Sequence, residues 1–84
     1  MVHKFIITEK EFNMPKNKIT NNIRTLRFMA NEMTQQELAE KVEVSRQTIV
    51  AIEKSKYSPS LELAFKISKV FNKPVEEIFS FESV

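Results

Sequence analysis

Eighty-four residues suffice for one domain, with enough aliphatic and phenylalanine side chains for a single core and no apolar run of membrane-spanning length. The chain has no cysteine, which excludes a disulfide framework or a thiolate metal site and fits a cytoplasmic setting; no secretory segment is evident either, so the protein is expected to stay where it is made. The net charge of +2 hides an asymmetry: residues 1–73 hold all 13 Lys and Arg against eight Glu, and residues 74–84 hold three Glu and no base. A basic body suits a polyanionic partner, although an ordinary solvated surface reads the same way on charge alone.

Residues 1–18 read as an N-terminal extension. His3 to Thr8 is short and β-branched at its centre, as a strand would be, and the polar stretch from Thr8 to Lys18 breaks at Met14-Pro15 like a linker. The remaining residues, 19–84, read as the folded domain. Ile19, Ile23, Leu26 and Ala30 recur at helical spacing and predict a first helix over 19–30, ended by Asn31 in the left-handed conformation. A second helix opens at Thr34 with T-Q-Q-E, a capping box in which Thr34 and Glu37 satisfy each other's backbone N–H groups, and runs to about Val42. Ser45 caps a third helix that runs through Lys54.

These two helices form the centre of the pattern. Leu38, Ala39, Val42, Val44, Ile49 and Ile52 have the spacing by which two short helices cross and bury their inner faces, with Ala39 small at the point of closest approach. That is a helix-turn-helix. Its outer positions carry Gln, Glu, Lys, Arg and Thr. Ser58-Pro59 predicts the start of a fourth helix, with Leu61, Ala64, Ile67, Ser68 and Phe71 inward and with Leu63 and Val70 on a more open flank. Asn72 ends it, Val75 to Phe79 makes a short fifth helix, and FSFE alternates as a strand that could pair with the one at 3–8. The predicted core is Ile23, Leu26, Leu38, Val42, Val44, Ile49, Ile52, Leu61, Ala64, Ile67 and Phe71. There is no glycine in the chain, so Glu43 occupies the left-handed turn between the second and third helices at a cost of about 1 kcal/mol.

The run MTQQELAEKVEVSRQTIVAIEKSKYSPSLELAFKISKVFNKPVEEIF resembles the Cro/C1-type (XRE-like) helix-turn-helix transcriptional regulators, in particular small single-domain repressor-like proteins with SRQT-I-x-x-I-E and Y-x-P-S-L-x-L-A. The resemblance covers roughly 21–81 and implies an all-α, compact, lambda-repressor-like bundle of five helices. A short two-stranded sheet between the N-terminal extension and the C-terminal tail is an optional addition. Departures from the family pattern are the missing glycines at Asn31, Glu43, Ser55 and Asn72.

In the family register, the helix that starts at Ser45 enters the major groove, with Arg46, Gln47, Val50 and Ala51 toward base edges. Arg46 suits guanine O6 and N7, Gln47 suits adenine N6 and N7, and the two small apolar side chains suit thymine methyls. Thr48, Lys54, Lys56 and Tyr57 are expected to hold phosphates, as are Gln35 and, more weakly, Gln36 at the start of the second helix; Gln35 could also brace Arg46 or Gln47. Arg27 and Glu53 are implied as a structural ion pair between the first and third helices. Breaking such a pair costs roughly 3–5 kcal/mol when it is well buried.

The resemblance further implies double-stranded DNA with a pseudo-palindromic operator as partner, a homodimer as the acting species, and Leu63, Val70, Phe79 and Phe81 as dimer-surface candidates. No cofactor and no small-molecule ligand are indicated. A single histidine, His3, without a second ligand nearby makes a metal site improbable, and without aspartate, cysteine or a glycine-rich loop the chain is not expected to be an enzyme. The competing reading is an antitoxin-like or other protein-interaction module whose DNA binding is secondary.

Overall fold

The computed structural model describes residues 17–83. Their order is β1 (Asn17–Asn21), α1 (Ile23–Met29), α2 (Gln35–Lys41), α3 (Arg46–Glu53), α4 (Leu61–Phe71), α5 (Val75–Ile78) and β2 (Phe79–Ser83). The five helices surround one core in which Ile23, Leu38, Ala39, Val42, Ile49 and Ile67 are fully buried, joined by Ile52, Ile78, Leu26 and Leu63. Val44 and Phe71 are half-buried against it, as are Met33, Val70 and Phe79.

A two-stranded sheet is present with the FSFE stretch in one of its strands; the expected partner HKFIIT lies outside the described residues. FSFES pairs antiparallel with NKITN, so that Ile19 faces Phe81, Lys18 faces Glu82 and Asn21 faces Phe79. The predicted first helix therefore begins four residues late, and Ile19 belongs to a strand. Two asparagines force the change of direction. The Asn21 side-chain oxygen accepts from the Ile23 N–H at 3.1 Å, and its amide donates to the Ile52 carbonyl at 2.8 Å. The Asn22 backbone N–H donates to the Ile78 carbonyl at 3.1 Å, while its side chain donates to that of Glu77. Side chains of this kind offer the backbone an alternative to the helical ladder, and here they begin α1 after the sheet.

Thr34 closes the expected capping box: its hydroxyl accepts from Glu37 N–H, and the Glu37 carboxylate accepts from Thr34 N–H at 2.8 Å. Ser45 caps α3 through the Thr48 N–H. The cap of α4 is Ser60, whose hydroxyl accepts from Leu63 N–H at 3.1 Å, rather than Ser58. Ser60 has the extended backbone of a cap, and its hydroxyl stands three residues before the N–H that it accepts from.

Leu61 and Leu63 correspondingly exchange roles. With about 100° between successive residues, Leu63 lies roughly 40° from the fully buried Ile67 and Leu61 roughly 120° away. Leu63 is accordingly 7% exposed and Leu61 is 71% exposed. Leu61 is thus no core residue, and Leu63 is buried within the protomer, without the open face expected of a dimer-surface side chain.

All four expected glycine positions are left-handed: Asn31 (φ 62°), Glu43 (φ 63°), Ser55 (φ 59°) and Asn72 (φ 55°). Glu32, at φ 56°, is a fifth. After α2, Glu43 N–H bonds to the Glu40 carbonyl and Val44 N–H to that of Ala39; after α3, Ser55 N–H bonds to Ile52 and Lys56 N–H to Ala51. These are Schellman closures built without glycine. Lys66 reaches from α4 to the Glu43 carboxylate at 3.1 Å, with Glu62 also nearby. The hydrogen bond to Glu43, reinforced by both negative charges, holds the Lys66 ammonium above the ordinary lysine range. Since that pKa is raised on folding, the pair's contribution is complete below the usual lysine pKa and is lost as pH rises past the folded value.

Candidate nucleic-acid interface

The inner face of α3 anchors the helix: Ile49 and Ile52 are buried in the core. With these two side chains fixed inward, helical geometry turns Arg46, Gln47, Val50, Ala51 and Lys54 away from the core. Arg46, Gln47 and Lys54 are exposed, whereas Val50 and Ala51 are half-buried. Arg46, Val50 and Lys54 follow one another at i, i+4 and i+8 and form one wall of a cleft of about 600 Å³. Arg24 and Arg27 of α1, together with Thr34, Gln35, Gln36 and Glu53, complete its lining.

A polar cluster lies in the lining of the cleft. Arg27 Nε donates to Glu53 Oε2 at 2.7 Å, Nη2 donates to Oε1 at 3.1 Å, and Nη1 donates to the Met33 carbonyl at 2.8 Å. The two side chains are only 13% and 9% exposed, so this bidentate pair is largely shielded from water. The ion pair implied for α1 and α3 is therefore formed, and the loop before α2 is bound to it as well. Gln35 joins the same cluster, donating to Glu53 Oε1 at 3.1 Å. Gln35 thus braces Glu53, neither Arg46 nor Gln47. Gln36 instead donates to Glu40 at 3.0 Å along its own helix.

Sequence reasoning grouped ten side chains as DNA contacts, and the fold distributes them over a ridge. Arg46, Val50, Lys54, Gln35 and Gln36 lie in the cleft; Thr48 and Tyr57 line a smaller depression of about 290 Å³ with Val44, Glu62 and Lys66. Gln47 and Ala51 line neither of these two hollows, Gln47 being exposed and Ala51 half-buried, and exposed Lys56 follows the end of α3. Arg24 was missed. Its signal was available, because it precedes Arg27 by three residues and so shares its side of α1.

Among the described residues there is no cluster of three or more metal-ligating side chains, and no helix is long and apolar enough to cross a membrane. A helix pair with a shielded inner hinge, and an outward helix bearing arginine, glutamine and lysine, defines the helix-turn-helix class of DNA-binding domain. The profile of the family described as Helix-turn-helix matches residues 23–78, and the chain belongs to that family, in its Cro/C1-type branch of DNA-binding transcriptional regulators rather than enzymes. An uncharacterized HTH-type transcriptional regulator of Methanocaldococcus jannaschii is 55% identical over 62 residues, which span 74% of this chain and 92% of the relative. The uncharacterized HTH-type transcriptional regulator YgzD of Bacillus subtilis is 45% identical over the same coverage. In fold the chain is similar to the crystal structure of transcriptional regulator VanUg, with a TM-score of 0.67 and 22% identity across 86% of this chain and 95% of that one.

Proposed function

We propose that this regulator is a cytoplasmic, sequence-specific repressor that binds a pseudo-palindromic operator as a homodimer, with α3 of each protomer in the major groove. The observation that carries the reading is the outward face of α3. Arg46, Gln47 and Lys54 are exposed there, while the acid closest to them in the cleft, Glu53, is already engaged by Arg27 and Gln35. Arg46 and Gln47 would read base edges, with Val50 and Ala51 packing on thymine methyls. Thr48, Lys54, Lys56 and Tyr57 would hold phosphates on either side, fixing register without reading sequence. Because Gln35 and Gln36 are hydrogen-bonded within the protein, their contribution to phosphate binding would be the smaller one.

Val70, Phe79 and Phe81 remain the dimer-surface candidates, Phe81 being 67% exposed on β2. Two such heads set about 34 Å apart would enter successive major grooves on one face of the duplex.

Selection of bound sequences from random DNA, followed by titrations at several salt concentrations, tests the reading. A palindromic motif bound far more tightly than random duplex is expected. Arg46→Ala should relax one position of each half-site, at roughly 1–3 kcal/mol of discrimination, whereas Lys56→Ala should weaken all sequences alike. Weak binding to every sequence, lost at moderate salt, would overturn the proposal.

A further inference from the structure

We infer that Arg24, on α1 outside the helix-turn-helix pair, is a phosphate-binding residue that carries the DNA contact from the reading head onto the first helix. The inference rests on the DNA-binding reading above and adds to it a residue that the helix-turn-helix pattern does not contain. Arg24 and Arg27 lie one turn apart and face the same cleft, yet their circumstances differ. Arg27 spends its guanidinium on Glu53 and the Met33 carbonyl and is mostly covered. Arg24 is exposed. Among the described residues, the ion pairs are those of Arg27 with Glu53 and of Lys66 with Glu43 and Glu62, so Arg24, Arg46 and Lys54 line the cleft with their charges uncompensated. Among the described lining residues the one carboxylate, Glu53, is paired with Arg27, which leaves Arg24, Arg46 and Lys54 as cations around the cleft.

Arg46 opens α3 and Lys54 follows its last residue, while the third cation stands on α1. A duplex held by α3 in its major groove presents a phosphate ridge beside that helix, and a cation on the opposite wall meets the ridge from its other side. The guanidinium has the planar donor array that matches phosphate oxygens. Contacts of this kind position the protein and carry no sequence information. Arg24 is accordingly a positioning residue, distinct in its effect from Arg46.

The experiment compares the wild-type chain with Arg24→Gln and Arg24→Lys on two duplexes, the selected operator and a random sequence, across a series of salt concentrations. Loss of one phosphate contact lowers affinity about eightfold at 0.1 M salt and reduces the slope of log K against log salt by about 0.9. Arg24→Gln should show both changes on both duplexes, with an unaltered selected motif and an unaltered thermal melt; Arg24→Lys should recover most of the affinity. If wild type binds its operator and Arg24→Gln matches it in affinity and slope, the assignment is overturned while the DNA-binding reading stands. A shifted base preference in Arg24→Gln would overturn it too, by making Arg24 a base reader. Failure of the wild-type chain to bind any duplex would instead overturn the underlying reading.

Discussion

Among the described residues, five occupy left-handed backbone without being glycine, and they are not equivalent. Asn31 and Asn72 tolerate that region because a short polar side chain can bond locally. Glu43 has no such excuse: its side chain runs outward to Lys66 across an exposed, solvent-screened contact. Replacing it with glycine removes the clash of Cβ with the following carbonyl, and the Schellman bonds to Glu40 and Ala39 need only backbone. Glu43→Gly is therefore expected to stabilise the fold by about 1 kcal/mol, read as a raised denaturant midpoint at unchanged m-value. An unchanged or lowered midpoint would mean that the Lys66 contact outweighs the strain relieved.

The same residues show what could be read beforehand. Four of the five positions were legible because each lies where a helix must stop for the apolar register to restart. Glu32 was not, since it owes its conformation to a neighbour. Following left-handed Asn31, it brings Met33 back so that its N–H reaches the Arg27 carbonyl at 2.8 Å and its own carbonyl receives the Arg27 guanidinium. No spacing rule contains that reciprocal closure.

At the scale of elements, legibility followed the number of competing signals. The α2–α3 pair has two side-chain caps and a fully buried inner face, and its predicted limits hold to within a residue. The start of α4 offered two serines, and the choice between them decided which leucine enters the core. Ser60→Ala should lower stability by about 1 kcal/mol, the usual worth of a side-chain N-cap, whereas Ser58→Ala should leave it nearly unchanged. Equal losses in paired denaturation curves would place the helix start between them and undo the assignment. The beginning of α1 was misread for a different reason. Ile19 and Ile23 satisfy helical spacing, but β1 forms through a partner 62 residues away in register, Phe81, and through the bonds of Asn21 and Asn22 to Ile52 and Ile78. A long-range pairing of this sort leaves no local period in the sequence, and only the alternation of FSFE hinted at it.

For the whole molecule, the question is what the β1–β2 ribbon is for. A lone two-stranded ribbon is marginal in water, and this one is tethered to the core by half-buried Phe79 while its opposed pair Ile19 and Phe81 leaves a phenylalanine 67% exposed. Covering that ring in a second protomer would remove apolar surface from water at no expense to the monomer's own packing. The ribbon is also joined to α3, since Asn21 holds the last turn of that helix through the Ile52 carbonyl. A dimer formed through β2 would thereby fix the separation of two recognition helices by way of one short strand and one side chain. Phe81→Ser is expected to leave the melting curve at low protein concentration unaltered, to shift sedimentation from dimer to monomer, and to weaken operator binding more than random-duplex binding, because only the operator rewards two heads acting together. A Phe81→Ser protein that sediments as a dimer and keeps its operator preference would exclude this surface and move the search to Val70 on the flank of α4.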